Sequence, residues 1–202
     1  MAPPAAGRAT LGIRPHTGWA AVVALSGTEA APRVVAKHRV EMAATFEVGA
    51  VYHVAQDLPL ARAEALIRWS EQAFIAAARA SLAALAAGLR DLGLEPVSSA
   101  ILAGGGRPLP PLEAILRSHP LVHAAEGELY RRALARACDE CAIPARFVPA
   151  SDLAAQVARA AGVPEKRVVS VLGEIGKASG KPWTRDQKEA ALAAWLALAG
   201  RG

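Results

Sequence analysis

Three strand-like segments follow one another in the first 42 residues, with only short turns between them. Residues 10–14 and 18–25 are apolar and flank the turn Pro-His-Thr, and residues 32–42 alternate between apolar and polar side chains. Alternation with a period of two is typical of a strand that has one wetter face at the edge of a sheet. Three consecutive strands with short turns form an antiparallel meander, so this motif is expected to open the fold.

The remainder of the chain alternates helical and strand-like segments. Apolar residues recur at spacings of three, four and seven over residues 60–92, which predicts a long helix against one face of the sheet. Residues 97–106, VSSAILAGGG, are apolar almost throughout and predict a central fourth strand. A fifth strand is predicted at 145–150. The fold class is therefore α/β, with a mixed five-stranded sheet and helices on both faces.

The remaining helices are predicted from their start and stop signals. They cover residues 113–141, a segment after Ser151, a segment after Pro164, and residues 184–200, where Thr184 and Gln187 have the spacing of a capping box. Residues 113–141 are expected to form a short helix broken at Pro120 and then a longer one, and residues 45–60 are expected to be irregular.

Length and composition favour one folded domain over residues 1–202, of which residues 1–8 are expected to be flexible. No uncharged apolar run approaches the roughly 20 residues of a membrane-spanning helix. MAPPAAGRAT does not have the pattern of a secretory signal, so we expect a cytoplasmic protein without a membrane partner. Cys138 and Cys141 could form a redox or chelating pair, but buried, inert cysteines are the commoner case.

The charge balance permits a polyanionic partner without requiring one. The formal net charge is +5, and the basic residues are scattered rather than massed in a run. A local cluster is formed by Arg131, Arg132 and Arg136.

Three segments, residues 11–25, 127–153 and 164–199, resemble one known family, the RuvC-type Holliday-junction resolvases and their ribonuclease H-like relatives. Residues 11–25, LGIRPHTGWAAVVAL, are similar to the opening hairpin of that family, which runs Gly-Ile-Asp-Pro-Gly and, a few residues later, Thr-Gly. Residues 127–153 resemble the family's helix and fifth strand, and residues 164–199 resemble its closing segment. The resemblance follows most of the chain in order and implies the ribonuclease H-like fold.

The resemblance also implies where a metal centre would lie. The resolvases hold two divalent metals with about four acidic residues. On this chain the first position falls at Arg14, the second falls in residues 100–103, which contain no acid, and the last two match Asp186 and Glu189. A guanidinium about 4 Å from a divalent ion costs several kcal/mol even at an effective dielectric constant of about 20. We therefore expect no bound metal, no cofactor and no two-metal cleavage.

Two interpretations of Arg14 remain open. In this fold the first and fourth strands are neighbours, so an anion pocket could form from residues of both: Arg14, His16, Thr17, Gly104, Gly105, Gly106 and Arg107. Alternatively, Arg14 pairs with Asp186 or Glu189 as a structural bridge, and the glycines only form a turn. In either case we expect the guanidinium to fill the space between the acids.

Histidines provide further candidates. His119 and His123 are four residues apart and Glu126 follows, a spacing that could suit zinc on one helix. Pro120 lies between them and argues against that site. His53 could act as a general base near a cleft or be an ordinary loop histidine.

The sequence leaves three functions open and does not decide whether the protein is an enzyme. The first is a non-cleaving, RuvC-like protein that binds nucleic acid or another phosphate-bearing ligand, with a homodimer as one possibility. The second is an active enzyme: either a nuclease that uses magnesium or manganese at a rearranged site of Glu41, Asp186 and Glu189, or a small-molecule phosphotransferase. The third is a structural or interaction domain.

Overall fold

A computed structural model describes residues 7–104 and 108–200 of the chain. Five strands form one sheet in the order β3-β2-β1-β4-β5. Their bounds are β1 Gly7–His16, β2 Trp19–Gly27, β3 Pro32–Glu41, β4 Leu94–Ala103 and β5 Ala145–Pro149. Neighbours β1–β2 and β2–β3 are antiparallel, whereas β1–β4 and β4–β5 are parallel. The predicted meander, the mixed sheet and the central position of β1 and β4 are confirmed.

Eight helices are assigned in the described part of the chain. They are α1 Phe46–Gly49, α2 Val51–Ala55, α3 Leu60–Asp91, α4 Leu112–Leu116, α5 His119–Glu140, α6 Leu153–Ala161, α7 Glu165–Ser179 and α8 Arg185–Ala199. The helices α3 and α5 cover one face of the sheet, where Leu11 and Ile13 are buried against residues such as Phe74. The helices α6, α7 and α8 cover the other face, where Val23 and Leu102 are buried. The prediction of helices on both faces is therefore confirmed.

The first strand begins earlier than predicted. Gly7 and Arg8 pair with Leu94 and Glu95 of β4, so these two residues of the segment expected to be flexible belong to the sheet. Residues 1–6 lie outside the described residues.

Two predictions about helices were wrong. Residues 45–60 are not irregular throughout, because α1 and α2 lie within them and the Thr45 side chain caps α1 by accepting from the Val48 N–H. The predicted short helix followed by a longer one is present as α4 and α5, but the break lies at residues 117–118. Pro120 lies in the first turn of α5, where a missing backbone N–H has no intrahelical partner to lose.

The start of α6 also differs from the prediction. The residue before this helix is Asp152, with a left-handed φ of 51°, rather than Ser151. The next helix continues past Gly176 to Ser179.

The long helix α3 is, within the described residues, the one helix that is long and apolar enough to cross a membrane by length and composition alone. Core helices of globular proteins meet the same criterion, and alanine is the commonest residue of this helix. Ile67, Phe74 and Leu82 of α3 are buried in the core between this helix and the sheet.

Candidate functional site

The strand β1 presents every second side chain to α8. Thr10 donates a hydrogen bond from Oγ1 to the Ala194 carbonyl oxygen at 2.9 Å. Gly12 brings the two backbones together, because a Cβ atom at this position would lie 1.8 Å from the Ala190 carbonyl oxygen. The next two side chains on this face are those of Arg14 and His16, which consequently meet the first turns of α8.

The start of α8 is fixed by the predicted capping box. The Thr184 side chain accepts from the Asp186 N–H at 3.3 Å, and the Gln187 side chain accepts from the Thr184 N–H at 3.0 Å. The loop before the helix is held by Lys37, whose ammonium donates to three carbonyl oxygens, those of Ser179, Gly180 and Pro182, at 2.9, 2.6 and 3.2 Å. These contacts set the position from which Asp186 and Glu189 face β1.

The guanidinium of Arg14 lies between the two acids of α8. Its Nε donates to Glu189 Oε2 at 2.6 Å, and its Nη1 lies 2.6 Å from Asp186 Oδ1. Arg185 donates from Nε to the other oxygen of Glu189 at 2.6 Å. Two guanidinium groups therefore face two carboxylates. Arg14, Arg185, Asp186 and Glu189, together with His16, form the Arg14 cluster. In it, two positive charges balance two negative charges without a metal ion.

His16 occupies the outer edge of the Arg14 cluster. Its Nε2 lies 3.2 Å from Asp186 Oδ1 and also contacts Arg14, while its ring stacks on Trp19 with centroids 4.1 Å apart. Arg39 lies over the Trp19 ring at 3.6 Å. Burial lowers the pKa of His16, and the charge of Arg14 lowers it further against the opposing effect of Asp186. His16 is therefore neutral near pH 7 and adds no positive charge to attract an anion.

Glu189 is ionised in this setting. Burial alone would raise the pKa of its carboxyl, but hydrogen bonds from Arg14 and Arg185 outweigh burial and hold the pKa below its ordinary value. Both acids are paired with arginine, whereas a metal ion needs carboxylate oxygens that are free to bind it.

Of the residues predicted to form an anion pocket, the structure describes Arg14, His16, Thr17 and Gly104. Arg14 and His16 meet, as described, at α8, and Thr17 lies in the adjoining turn before Gly18, whose φ is 81°. Gly104 instead lines a cavity of about 520 Å³ together with residues of α5 and β5, and Arg14 is not among the described residues of that lining. Gly105, Gly106 and Arg107 lie outside the described residues.

The basic cluster on α5 is neutralised by acids. Arg131 pairs with Glu128 at 3.0 Å, and Arg132 pairs with Glu71 of α3 at 3.0 Å. Arg136 likewise pairs with Glu140 at 2.9 Å. This cluster therefore offers less net attraction for a polyanion than the sequence suggested.

Glu41 and the cysteine pair lie in environments that do not suit the chemistry predicted for them. Glu41 pairs with Arg39, and its side chain is 57% exposed, so it is directed to solvent rather than to a shared acidic site. Cys138 and Cys141 are free thiols, and burial raises the pKa of Cys138 to about 12. A thiol that stays protonated near pH 7 is a poor ligand or nucleophile.

A groove beside the Arg14 cluster was not found from the sequence. It encloses about 570 Å³ between β2, β3 and the start of α8, and its charged lining residues are Lys37, Arg39, Lys181 and Asp186. Lys37 and Arg39 alternate on β3, but Lys181 joins them only through the loop before α8. No spacing within the sequence connects these segments.

Comparisons with known proteins place the fold. No protein-family model and no curated protein matches the chain. Solved structures do match: a Thermus thermophilus RuvC in complex with a Holliday-junction substrate has a TM-score of 0.58 at 13% identity, covering 96% of this chain and 95% of that one. A second Thermus thermophilus RuvC structure has a TM-score of 0.53 at 14% identity, with the same coverage. The chain thus has the ribonuclease H-like fold of RuvC over nearly its whole length.

Proposed function

We propose that this protein is a RuvC-like domain that binds nucleic acid, or another phosphate-bearing ligand, and has lost two-metal cleavage. The observation that carries the proposal is the position of the Arg14 guanidinium, which lies 2.6 Å from both Asp186 and Glu189.

The loss of cleavage follows from how the two acids are used. A hard divalent cation needs several oxygen ligands, and residues 100–103 of the neighbouring strand supply no acid. Binding a metal at Asp186 and Glu189 would also leave the guanidinium of Arg14 without partners in a site where its side chain is only 18% exposed. An unpaired cation there is costly, so the ion pair competes against the metal.

Ligand binding is assigned to the groove rather than to Arg14. The Nε and Nη1 atoms of Arg14 already contact carboxylates, so we revise the anion pocket predicted from the sequence. Arg39 and the exposed Lys181 both line the groove and can contact phosphate oxygens, Arg39 in place of its surface pairing with Glu41. The RuvC structure with a Holliday-junction substrate supports nucleic acid as the ligand class to test first. Contacts to phosphates position a nucleic acid without reading its sequence.

The binding test uses fluorescence anisotropy with a labelled four-way junction, a linear duplex and a single strand, over a range of salt concentrations. We expect binding that weakens steeply with salt, because phosphate contacts release counterions. Replacing Arg39 and Lys181 with alanine should weaken binding and reduce the salt slope by roughly one for each lost contact. The matched control is Arg117→Ala, which removes an exposed cation directly after α4 and should leave binding unchanged.

The cleavage test adds magnesium or manganese to the same substrates. We expect the DNA to stay intact. Metal-dependent cutting that disappears in Glu189→Ala would instead support the rearranged nuclease, whereas the absence of binding to every nucleic acid would favour a structural or interaction domain. The proposal includes a cytoplasmic location. Light scattering of the free and bound protein would show whether a homodimer forms.

A further inference from the structure

Three histidines from two separate helices meet on the other side of the sheet from α8. His53 lies in α2, and His119 and His123 lie in the first turns of α5. One ligand nitrogen from each lies within 4.8 Å of the other two. Because Pro120 does not interrupt α5, His119 and His123 share one helix face, and their Nε2 atoms are 3.0 Å apart. These three residues, with Glu126, are the histidine cluster.

A buried carboxylate orients one member of the cluster. His53 Nδ1 lies 3.0 Å from Glu126 Oε2, and the Tyr52 N–H donates to Glu126 Oε1 at 3.1 Å. The Glu126 side chain is only 2% exposed, and it has no hydrogen to donate when ionised. The proton therefore lies on His53 Nδ1, which leaves Nε2 as the electron-pair donor. Metal-binding histidines are commonly held by a carboxylate in this way.

We propose that the histidine cluster binds a divalent transition metal, with Zn²⁺ as the best fit. Three imidazoles are suitable ligands for zinc, and sites with three protein ligands leave a fourth position for water. Nitrogen ligands on a tetrahedral zinc ion are ~3.3 Å apart. The His119 and His123 nitrogens are already close to that separation, and a small rotation of the exposed side chains would bring in His53.

Charge also favours a cation at this position. Glu126 is buried, and within the described residues its hydrogen-bond partners are the Tyr52 N–H and His53 Nδ1, with no lysine or arginine paired to it. A buried carboxylate is costly without a compensating charge. A metal ion on His53 would supply it through the imidazole, and it would tether α2 to α5. The site shares no residue with the Arg14 cluster and does not depend on the proposed nucleic-acid binding.

The test uses the full-length, tag-free protein, stripped of metal with a chelator and titrated with ZnCl₂ by calorimetry. We expect one Zn²⁺ per chain. Glu126→Gln should lower the affinity by roughly 10–100-fold, as is typical for loss of a carboxylate that orients a ligand. His53→Ala, His119→Ala and His123→Ala should each lower it further. The matched control is His38→Ala, which removes a histidine that bonds Ser81 instead, and it should bind zinc normally.

Cobalt distinguishes imidazole ligands from thiolates. Co²⁺ bound at the cluster should give visible bands without sulfur charge transfer, and Cys141→Ser should not change them. His119 and His123 are exposed, so their alanine variants are expected to fold even if Glu126→Gln does not. Zinc affinity that is absent in the wild type, unchanged when both exposed histidines are replaced, or abolished by Cys141→Ser would overturn the proposal.

Discussion

The Arg14 cluster and the histidine cluster both gather groups that could bind a metal, yet their charges are arranged in opposite ways. In the Arg14 cluster, two carboxylates are each engaged by arginine within 2.6 Å. In the histidine cluster, three imidazoles come together and a buried carboxylate lies behind one of them. Residues that could bind a metal ion are therefore available to it only where positively charged side chains do not already occupy them. Counting such residues is not enough.

The largest expected effect is that of Gly12→Ala, which would separate β1 from α8 and so disrupt the Arg14 cluster. The added Cβ would lie 1.8 Å from the Ala190 carbonyl oxygen and 2.3 Å from the Ala194 nitrogen, so backbone must move. We expect a loss of about 3 kcal/mol or more in the free energy of unfolding, at or beyond the upper end of overpacking costs. Urea denaturation followed by circular dichroism would measure it.

Gly88→Ala is the matched control for that variant. Gly88 is exposed in the last turn of α3, and beyond the backbone of its own helix no atom lies within 4 Å of an added Cβ atom. Alanine should stabilise this helix by up to about 1 kcal/mol. A Gly12→Ala protein as stable as the wild type would show that α8 is not held against β1 as described.

The next effect is that of Arg14→Ala, which removes the internal cation. We expect a loss of about 2–3 kcal/mol near neutral pH, somewhat less than for a fully buried ion pair because the acids are 18% and 26% exposed. The exposed pair of Arg117 and Glu113 is the control, and Arg117→Ala should cost no more than about 0.5 kcal/mol.

The pH dependence of Arg14→Ala separates charge from packing. In the wild type the pKa of Glu189 is lowered below 4.5, so its stabilising contribution is present above that pH and is lost as the pH falls through the lowered value. In the variant the acids lose their cation, and protonating them relieves the cost. The stability gap should therefore be widest near neutral pH and should narrow below pH 4.5. An equal gap at both pH values would point to lost packing of the arginine side chain.

A smaller change is expected when manganese is added to Arg14→Asp, a variant that makes the Arg14 cluster resemble an open metal site. Arg14→Asp places a third carboxylate beside Asp186 and Glu189, so the apo variant should be less stable than Arg14→Ala. Manganese at about 10 to 100 times its Kd should then restore about 1.4–2.7 kcal/mol. Thermal unfolding with and without Mn²⁺ would measure this, with Arg14→Ala as the control that lacks the extra ligand. If Mn²⁺ does not stabilise Arg14→Asp, the side chain at position 14 does not by itself decide whether an ion binds between Asp186 and Glu189.

Local patterns predicted most of the fold. The helix of residues 60–92 and the capping box at Thr184 and Gln187 depend on spacings within one element, and the structure has both. Pro120 was misjudged because its effect depends on its position in the helix, and the sequence did not reveal that α5 begins one residue before it.

The candidate sites were harder to predict because their residues come from distant segments. Arg14 and Glu189 could be linked only through the resemblance to a known hairpin and closing helix. His53 lies 66 residues before His119 in the sequence, and its segment was expected to be irregular. The role of Gly12 was also missed, because a glycine in a strand does not reveal which helix approaches it.

The close approach at Gly12 has a consequence for protein engineering. Since the backbones of β1 and α8 approach closely at Gly12, main-chain contact fixes the spacing between the strand and the helix that carries Asp186 and Glu189. The scaffold should therefore keep its shape while residue 14 is varied. A library of variants at position 14, screened against different ions and small cations, would show which of them each side chain can bind while the backbone stays the same.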